Sequence, residues 1–175
     1  KKNFSLINKT VNILKEDENN SNFQIIIIGK DVLNLKKEIN KDNNEKFFIL
    51  IEEIGSLDAK NPKFPSPLLS DYYNMSDCFL FPSNLETFGI VLAEAMIAKL
   101  PIITTNAPGC KDVVRENIDG LVFNRGDYNK AAYLMQTVIS NKNNIRNDLK
   151  IKSTQRSKDL LLSKIVDKYE DLIIK

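Results

Sequence analysis

The sequence predicts an α/β fold, a Rossmann-like, doubly wound parallel sheet with helices at its C-terminal end. Three observations carry that prediction. Phe23-Gln24-Ile25-Ile26-Ile27-Ile28-Gly29 is a continuous β-branched run closed by Gly, which suits a strand covered on both faces. Further short apolar segments follow at Phe47–Ile51, Asp77–Phe81, Pro101–Thr105 and Gly120–Phe123. The stretches between them are long enough for helices, and such alternation means βαβ units with right-handed crossovers.

The elements follow in order. Phe4, Leu6, Ile7, Val11, Ile13 and Leu14 recur at near-helical spacing, so the chain opens on a helix. A polar helix is expected from Val32 to Ile39. Residues 55–67 hold Gly55, Pro62, Pro65 and Pro67, a loop composition. Leu68–Met75 reads as a short helix, and the strand ending at Phe81 is stopped by Pro82. Helices are expected over Ile90–Ala98 and, N-capped by Asp127, as far as about Ser140, with a helical turn over Lys111–Arg115 between them. From about Asn144 two charged amphipathic helices are expected. In the second, Leu160, Leu161, Ile165, Val166, Tyr169, Leu172 and Ile173 keep a helical stripe.

Composition narrows the chemistry. The 175 residues are 42% hydrophobic and 27% charged, an ordinary globular balance, large enough for a core without a metal or disulfide staple. A net charge of +2 gives no case for nucleic acid or an anionic membrane. Cys78 and Cys110 form no CxxC pair and no signal peptide is visible, so a reduced, cytoplasmic setting is expected. No apolar run reaches the roughly 20 residues that span a bilayer. The chain has no His, which excludes a Ser-His-Asp triad, a His base and His-ligated zinc from within it.

In open α/β sheets ligands bind beyond the carboxyl ends of the strands. After Phe81 the chain reads Pro82-Ser83-Asn84-Leu85-Glu86-Thr87-Phe88-Gly89, then Ile90-Val91-Leu92-Ala93-Glu94-Ala95-Met96. A strand end, a Gly and a helix start leave backbone N–H groups pointing at one spot, which suits a phosphate or sugar oxygen. Glu94 stands in an otherwise apolar helix segment, where a buried carboxylate needs a donor, a cation or a ligand crevice. Periodicity alone leaves a second reading open, a Glu on the one exposed stripe of this helix. Glu86 and Glu94, one in the loop and one a turn into the helix, can flank a single crevice.

These residues resemble the E-x7-E signature of the family 4 retaining glycosyltransferases, in the form Glu86-Thr87-Phe88-Gly89 followed by Glu94-Ala95. More of the family's pattern falls in order around it. Asp77-Cys78-Phe79 and Phe81-Pro82-Ser83 resemble the preceding strand, Leu100-Pro101-Ile102-Ile103-Thr104-Thr105 the following one, and Asp119-Gly120-Leu121-Val122 the N-G-x-L-V segment. Ile26-Ile27-Ile28-Gly29 resembles an earlier strand. Thr87 departs from the common Gly, and Lys99 from the Gly before Leu100-Pro101.

The resemblance implies the C-terminal, donor-binding half of a GT-B fold, over residues 1–157. It implies that residues 158–175 form a helix packing toward an N-terminal domain, which brings the sugar or lipid-linked acceptor. The implied reaction moves a sugar from a nucleoside diphosphate sugar with retention at the anomeric carbon. No metal or other cofactor is implied, and no nucleic acid. Glu86 is implied to hold sugar hydroxyls and Glu94 the ribose hydroxyls, with Thr87, Phe88, Gly89 and Ile90 beside the donor. Lys2 matches the lysine that meets the diphosphate, so Lys2 and Glu86 are the implied catalytic contacts. Its partner Arg has no match at Arg115 or Arg125. Gly109, in Asn106-Ala107-Pro108-Gly109-Cys110, either approaches the donor or only makes a turn; Cys110 reads as structural.

The wording around Pro101–Cys110 is similar to members that assemble bacterial cell-surface or lipid-linked glycans, a setting that leaves room for peripheral association of the full-length protein with the inner face of the membrane. Two other readings are kept: half of a sugar-nucleotide epimerase on the same scaffold, and a non-catalytic flavodoxin-like binding domain.

Overall fold

The computed structural model describes residues 3–17, 22–52, 67–87 and 89–160. In chain order the elements are α1 (Phe4–Leu14), β1 (Ile25–Ile28), α2 (Lys36–Lys41), β2 (Phe48–Ile51), α3 (Pro67–Met75), β3 (Phe79–Phe81), α4 (Ile90–Ile97), β4 (Ile102–Thr105), α5 (Cys110–Val113), β5 (Leu121–Phe123), α6 (Tyr128–Ile139) and α7 (Ile145–Asp159). A 3-10 turn over Val32–Leu35 precedes α2, so the helix expected from Val32 to Ile39 begins later. Its entry residue, Asp31, has φ 60. Nearly all of the Pro-rich loop and the segment from Leu161 onward, where the second C-terminal helix is expected, lie outside the described residues.

Every pairing between strands is parallel. β1 pairs with β2 in one ladder, and β3, β4 and β5 form another in that order. No ladder joins β1 to β3 among the described residues.

Side chains that alternate across a strand sort the core onto two faces. Ile103, Leu121 and Phe123 join Leu6, Leu14, Leu134, Met135, Val138 and Leu149 on one face. Ile102 and Phe81 join Tyr73, Leu92, Met96, Cys110 and Val113 on the other. Helices α1 and α6 therefore cover one side of the sheet and α3, α4 and α5 the other, with α7 packed along α4. β4 is buried along its whole length, as the central strand of a covered parallel sheet should be.

Local chemistry fixes the ends of these elements. The Asn3 side chain accepts from Leu6 N at 3.2 Å and caps α1. The Asn3 backbone N–H donates to Pro82 O at 3.1 Å, tying the start of α1 to the end of β3. Asp127 accepts from Lys130 N at 2.8 Å and caps α6, as its position predicted. Behind α1, Asn44 Nδ2 donates to Asn8 Oδ1 at 2.8 Å and Asn12 Oδ1 at 2.9 Å. Lys15 Nζ adds a bond to Asn44 Oδ1 at 2.9 Å. This satisfied polar clamp holds α1 to the turn before β2.

Before β5, the fully buried Asp119 accepts from Arg115 N at 2.7 Å and from Arg115 Nε at 2.6 Å. A Cβ on Gly120 would stand 2.5 Å from Val114 Cγ1, so a small residue is required there. The Asp-Gly pair that resembles the family's N-G is thus explained by packing at the strand entry.

Candidate functional site

The carboxyl ends of β3, β4 and β5 are drawn together by side chains and loops. Thr104 Oγ1 donates to Phe81 O at 2.9 Å, and Thr105 Oγ1 donates to Ser83 O. Ser83 Oγ in turn donates to Leu85 O at 2.9 Å. Two buried hydroxyls at the end of β4 therefore shape the path of the loop that leaves β3. Arg125, just past β5, donates from Nη1 to Asn84 O at 3.3 Å, and its backbone N–H donates to Asn106 Oδ1 at 3.2 Å. Asn106 Nδ2 donates to Asn124 Oδ1 at 2.6 Å. The sequence singled out none of Thr105, Asn84, Asn106 or Asn124, and Arg125 only as a mismatch. A run of two Thr at the end of a buried strand was the available signal, since each hydroxyl there must find an acceptor.

Gly109 belongs to this packing. Its φ is +79, and a Cβ there would meet Glu86 O at 2.2 Å and Glu86 C at 2.6 Å. Backbone lies directly on backbone, and Glu86 N donates to Pro108 O at 3.3 Å across the same contact. Gly109 holds the Glu86 loop in place, a structural role for this turn. Cys110 is a free thiol buried below it. Burial pushes that thiol above its ordinary pKa, against the opposing effect of hydrogen bonds with Thr104 and Thr105.

Glu86 is half-buried and Thr87 exposed. Gly89 is buried and takes φ 68, the left-handed conformation from which α4 starts without a side-chain cap. No described group accepts from the N–H of Ile90 or Val91, so the first turn of α4 offers donors at the mouth of the loop. The Ile90 side chain is 59% exposed. Lys2 and Phe88 lie outside the described residues.

Glu94 is 6% exposed, which removes the reading that puts it on a solvated stripe. Its partner is Tyr73 of α3, whose hydroxyl donates to Oε2 at 2.9 Å. Burial is the main reason the Tyr73 phenol titrates above the ordinary tyrosine range; the negative charge of Glu94 and the hydrogen bond to it act in the same direction. Oε1 of Glu94 accepts no hydrogen bond from a described residue, and no buried side-chain polar atom among those residues lacks a partner. Oε1 therefore keeps contact with the surface, while Oε2 is tied down inside.

Outside this region the acids and thiols have structural settings. Asp77 pairs with Arg146 at 2.7 Å, an exposed contact worth little on its own. Cys78 packs against the core, and burial pushes its thiol up to about 12, with Asp77 adding to the rise. Among the described residues no group of His, Cys, Asp or Glu side chains is arranged to hold a metal ion, and no helix is long and apolar enough to cross a membrane.

Comparison with known proteins gives this arrangement a family. The model for glycosyl transferases group 1 matches residues 1–156. The capsular polysaccharide biosynthesis glycosyltransferase CapM of Staphylococcus aureus is 28% identical over 87% of this chain, which spans 45% of CapM. Among solved structures, the C-terminal domain of the group 1 glycosyl transferase LpcC from Francisella tularensis superposes with a TM-score of 0.69 at 18% identity, over 90% of this chain and 78% of that one. The pneumococcal O-GlcNAc transferase GtfA, in complex with UDP and GlcNAc, gives 0.71 at 19%, over 98% of this chain and 32% of that one. The fold is that of the C-terminal part of GT-B glycosyltransferases. With the Glu86 loop, the glycine-started α4 and the Glu94 carboxylate all inside the matched span, the chain belongs to the glycosyl transferases group 1 family.

Proposed function

We propose that this chain is the donor-binding part of a retaining glycosyltransferase, taking a sugar from a nucleoside diphosphate sugar for a bacterial surface or lipid-linked glycan. The observation that supports this most directly is Glu94. A carboxylate buried in an apolar helix, with one oxygen tied to Tyr73 and the other left toward the surface, is built to accept from a ligand. Vicinal hydroxyls are such donors, so Glu94 is assigned to the ribose. Glu86, on the loop eight residues upstream, is assigned to the sugar.

In the reaction the bond from the anomeric carbon to the diphosphate oxygen breaks, and charge grows on the departing diphosphate. The acceptor hydroxyl forms the new bond to that carbon, and its proton passes to the departing diphosphate. The N–H groups of Ile90 and Val91 and the Lys2 ammonium are assigned to the growing charge, so the reading requires no metal. Fixed donors aimed at developing charge are effective because they need not reorient. Residues 1–157 make this unit, and 158–175 reach toward a second domain that presents the acceptor on the cytoplasmic side. The capsular role of CapM and the UDP bound by GtfA favour the substrate class.

The test is calorimetry of the chain against UDP, GDP and ADP. Glu94→Ala should weaken the bound nucleotide by about tenfold or more, the worth of a hydrogen bond to a charged group. An unchanged affinity beside a lowered unfolding midpoint would make Glu94 a structural residue and remove the main support for this reading.

A further inference from the structure

We propose that Tyr73 is a positioning residue for the nucleotide, binding one oxygen of the Glu94 carboxylate and so fixing the tilt at which the other oxygen is presented to the ribose diol. The inference rests on the donor-binding reading and assigns a role to a residue that touches no ligand.

A carboxylate on a helix can swing about its side-chain bonds, and a freely swinging one presents no fixed acceptor to a diol. Here the swing is opposed by a bond to one of its two equivalent oxygens. Tyr73 is 6% exposed, its hydroxyl donates to Oε2 at 2.9 Å, and the bond is buried. Swinging the carboxylate away would leave that hydroxyl without an acceptor in a site already closed to water, which costs more than the bond itself is worth, whereas a half-turn merely exchanges two equivalent oxygens. Tyr73 is in turn held by its ring, which meets Phe79 edge-on with centroids 5.7 Å apart. Phe79 stacks on Phe81 of the same strand at 5.9 Å. The chain of contacts runs from β3, the strand whose end carries the candidate loop, through Tyr73 to the carboxylate on α4. Strand and helix are thereby linked through the phenol. The phenol is also held protonated, because burial and the neighbouring carboxylate both disfavour phenolate. Tyr73 stays a donor, and Oε1 stays the free acceptor.

Tyr73→Phe removes the hydroxyl and keeps the ring packing; Tyr73→Met is the second variant should the first fail to fold. Both are titrated by calorimetry with UDP, GDP and ADP and with their 2′,3′-dideoxy counterparts, beside the unaltered chain, Glu94→Gln and the double variant. For the nucleotide that the unaltered chain binds, Tyr73→Phe should raise Kd about fivefold, a fraction of a charged hydrogen bond. The dideoxy form should bind the unaltered chain and Tyr73→Phe equally. The double variant should bind no more weakly than Glu94→Gln alone, because the hydroxyl acts through that carboxylate. Ribose binding unchanged in Tyr73→Phe overturns the proposal, as does an equal loss for ribose and dideoxy forms. If the unaltered chain binds none of the three nucleotides, the donor-site reading fails first and takes this inference with it.

Discussion

Gly109→Ala isolates the contact that holds the candidate loop. Two costs add at this position. The backbone sits at φ +79, where a residue with a Cβ is strained by about 1–2 kcal/mol. The new Cβ would also stand 2.2 Å from Glu86 O. Neither partner is a flexible side chain, so the Glu86 loop must retreat by about 1 Å, a displacement of the kind that costs about 1–3 kcal/mol in a packed site. The sum is about 2–5 kcal/mol. Gly126 provides the control, since it has φ +86 and nothing within 4 Å of its would-be Cβ. Gly126→Ala should carry only the strain. Thermal unfolding should place Gly109→Ala about 5–15 °C below the unaltered chain, and Gly126→Ala only a few degrees below it. The same preparation should bind nucleoside diphosphate sugar more weakly, because Glu86 moves with its backbone. Equal shifts for the two variants would show that the loop yields freely and that Gly109 does not hold it.

Glu86→Ala should separate sugar from nucleotide: affinity for the sugar nucleotide should fall by about tenfold, while affinity for the free nucleoside diphosphate stays within about twofold. Equal losses for both ligands would move Glu86 off the sugar. Alkaline pH should destabilise the chain, because the Cys78, Cys110 and Tyr73 acids are all raised above their ordinary values of 9.0, 9.0 and 10.0 by burial. For a raised pKa the stabilisation is complete below the unfolded value and is lost as pH climbs toward the folded one. Unfolding midpoints should thus hold steady up to about pH 9 and fall between there and about pH 12. A flat profile across that window would contradict the burial of these groups.

The fold was legible because its strands carry two signals at once. Ile25–Ile28 and Ile102–Thr105 are β-branched runs without a charge, the first closed by Gly29 and the second bounded by Pro101 and Asn106. A sheet covered on both faces accommodates such runs; the structure covers both faces of Ile102–Thr105, while Ile25–Ile28 is half-buried throughout. The start of α2 was not legible. Nothing in Val32-Leu33-Asn34-Leu35 marks a 3-10 turn, since the same apolar spacing serves either helix. The break between the β1-β2 and β3-β4-β5 ladders was equally hidden. Strand order is a property of non-local pairing, and no local pattern encodes which edges meet.

The candidate site was half legible, and the halves differ in physics. Glu94 attracted notice because a charge in an apolar helix is costly and demands an explanation within the sequence itself. The partner that answers the demand is 21 residues upstream, beyond the reach of any helical period. Two adjacent tyrosines stand there, and only geometry separates them. Helical spacing puts Tyr73 on the face of Leu69, which packs into the same core cluster, and Tyr72 on the face of Leu68, which is 50% exposed. Pairing the inward tyrosine with the inward acid was therefore the inference available from α3 alone: two polar groups sent into one apolar cluster must satisfy each other or a ligand. The structure has them satisfy each other with one oxygen to spare. That spare oxygen is why the bond to Tyr73 strengthens the case for a ligand at Glu94: a carboxylate serving only packing would have both oxygens enclosed, and here one keeps contact with the surface.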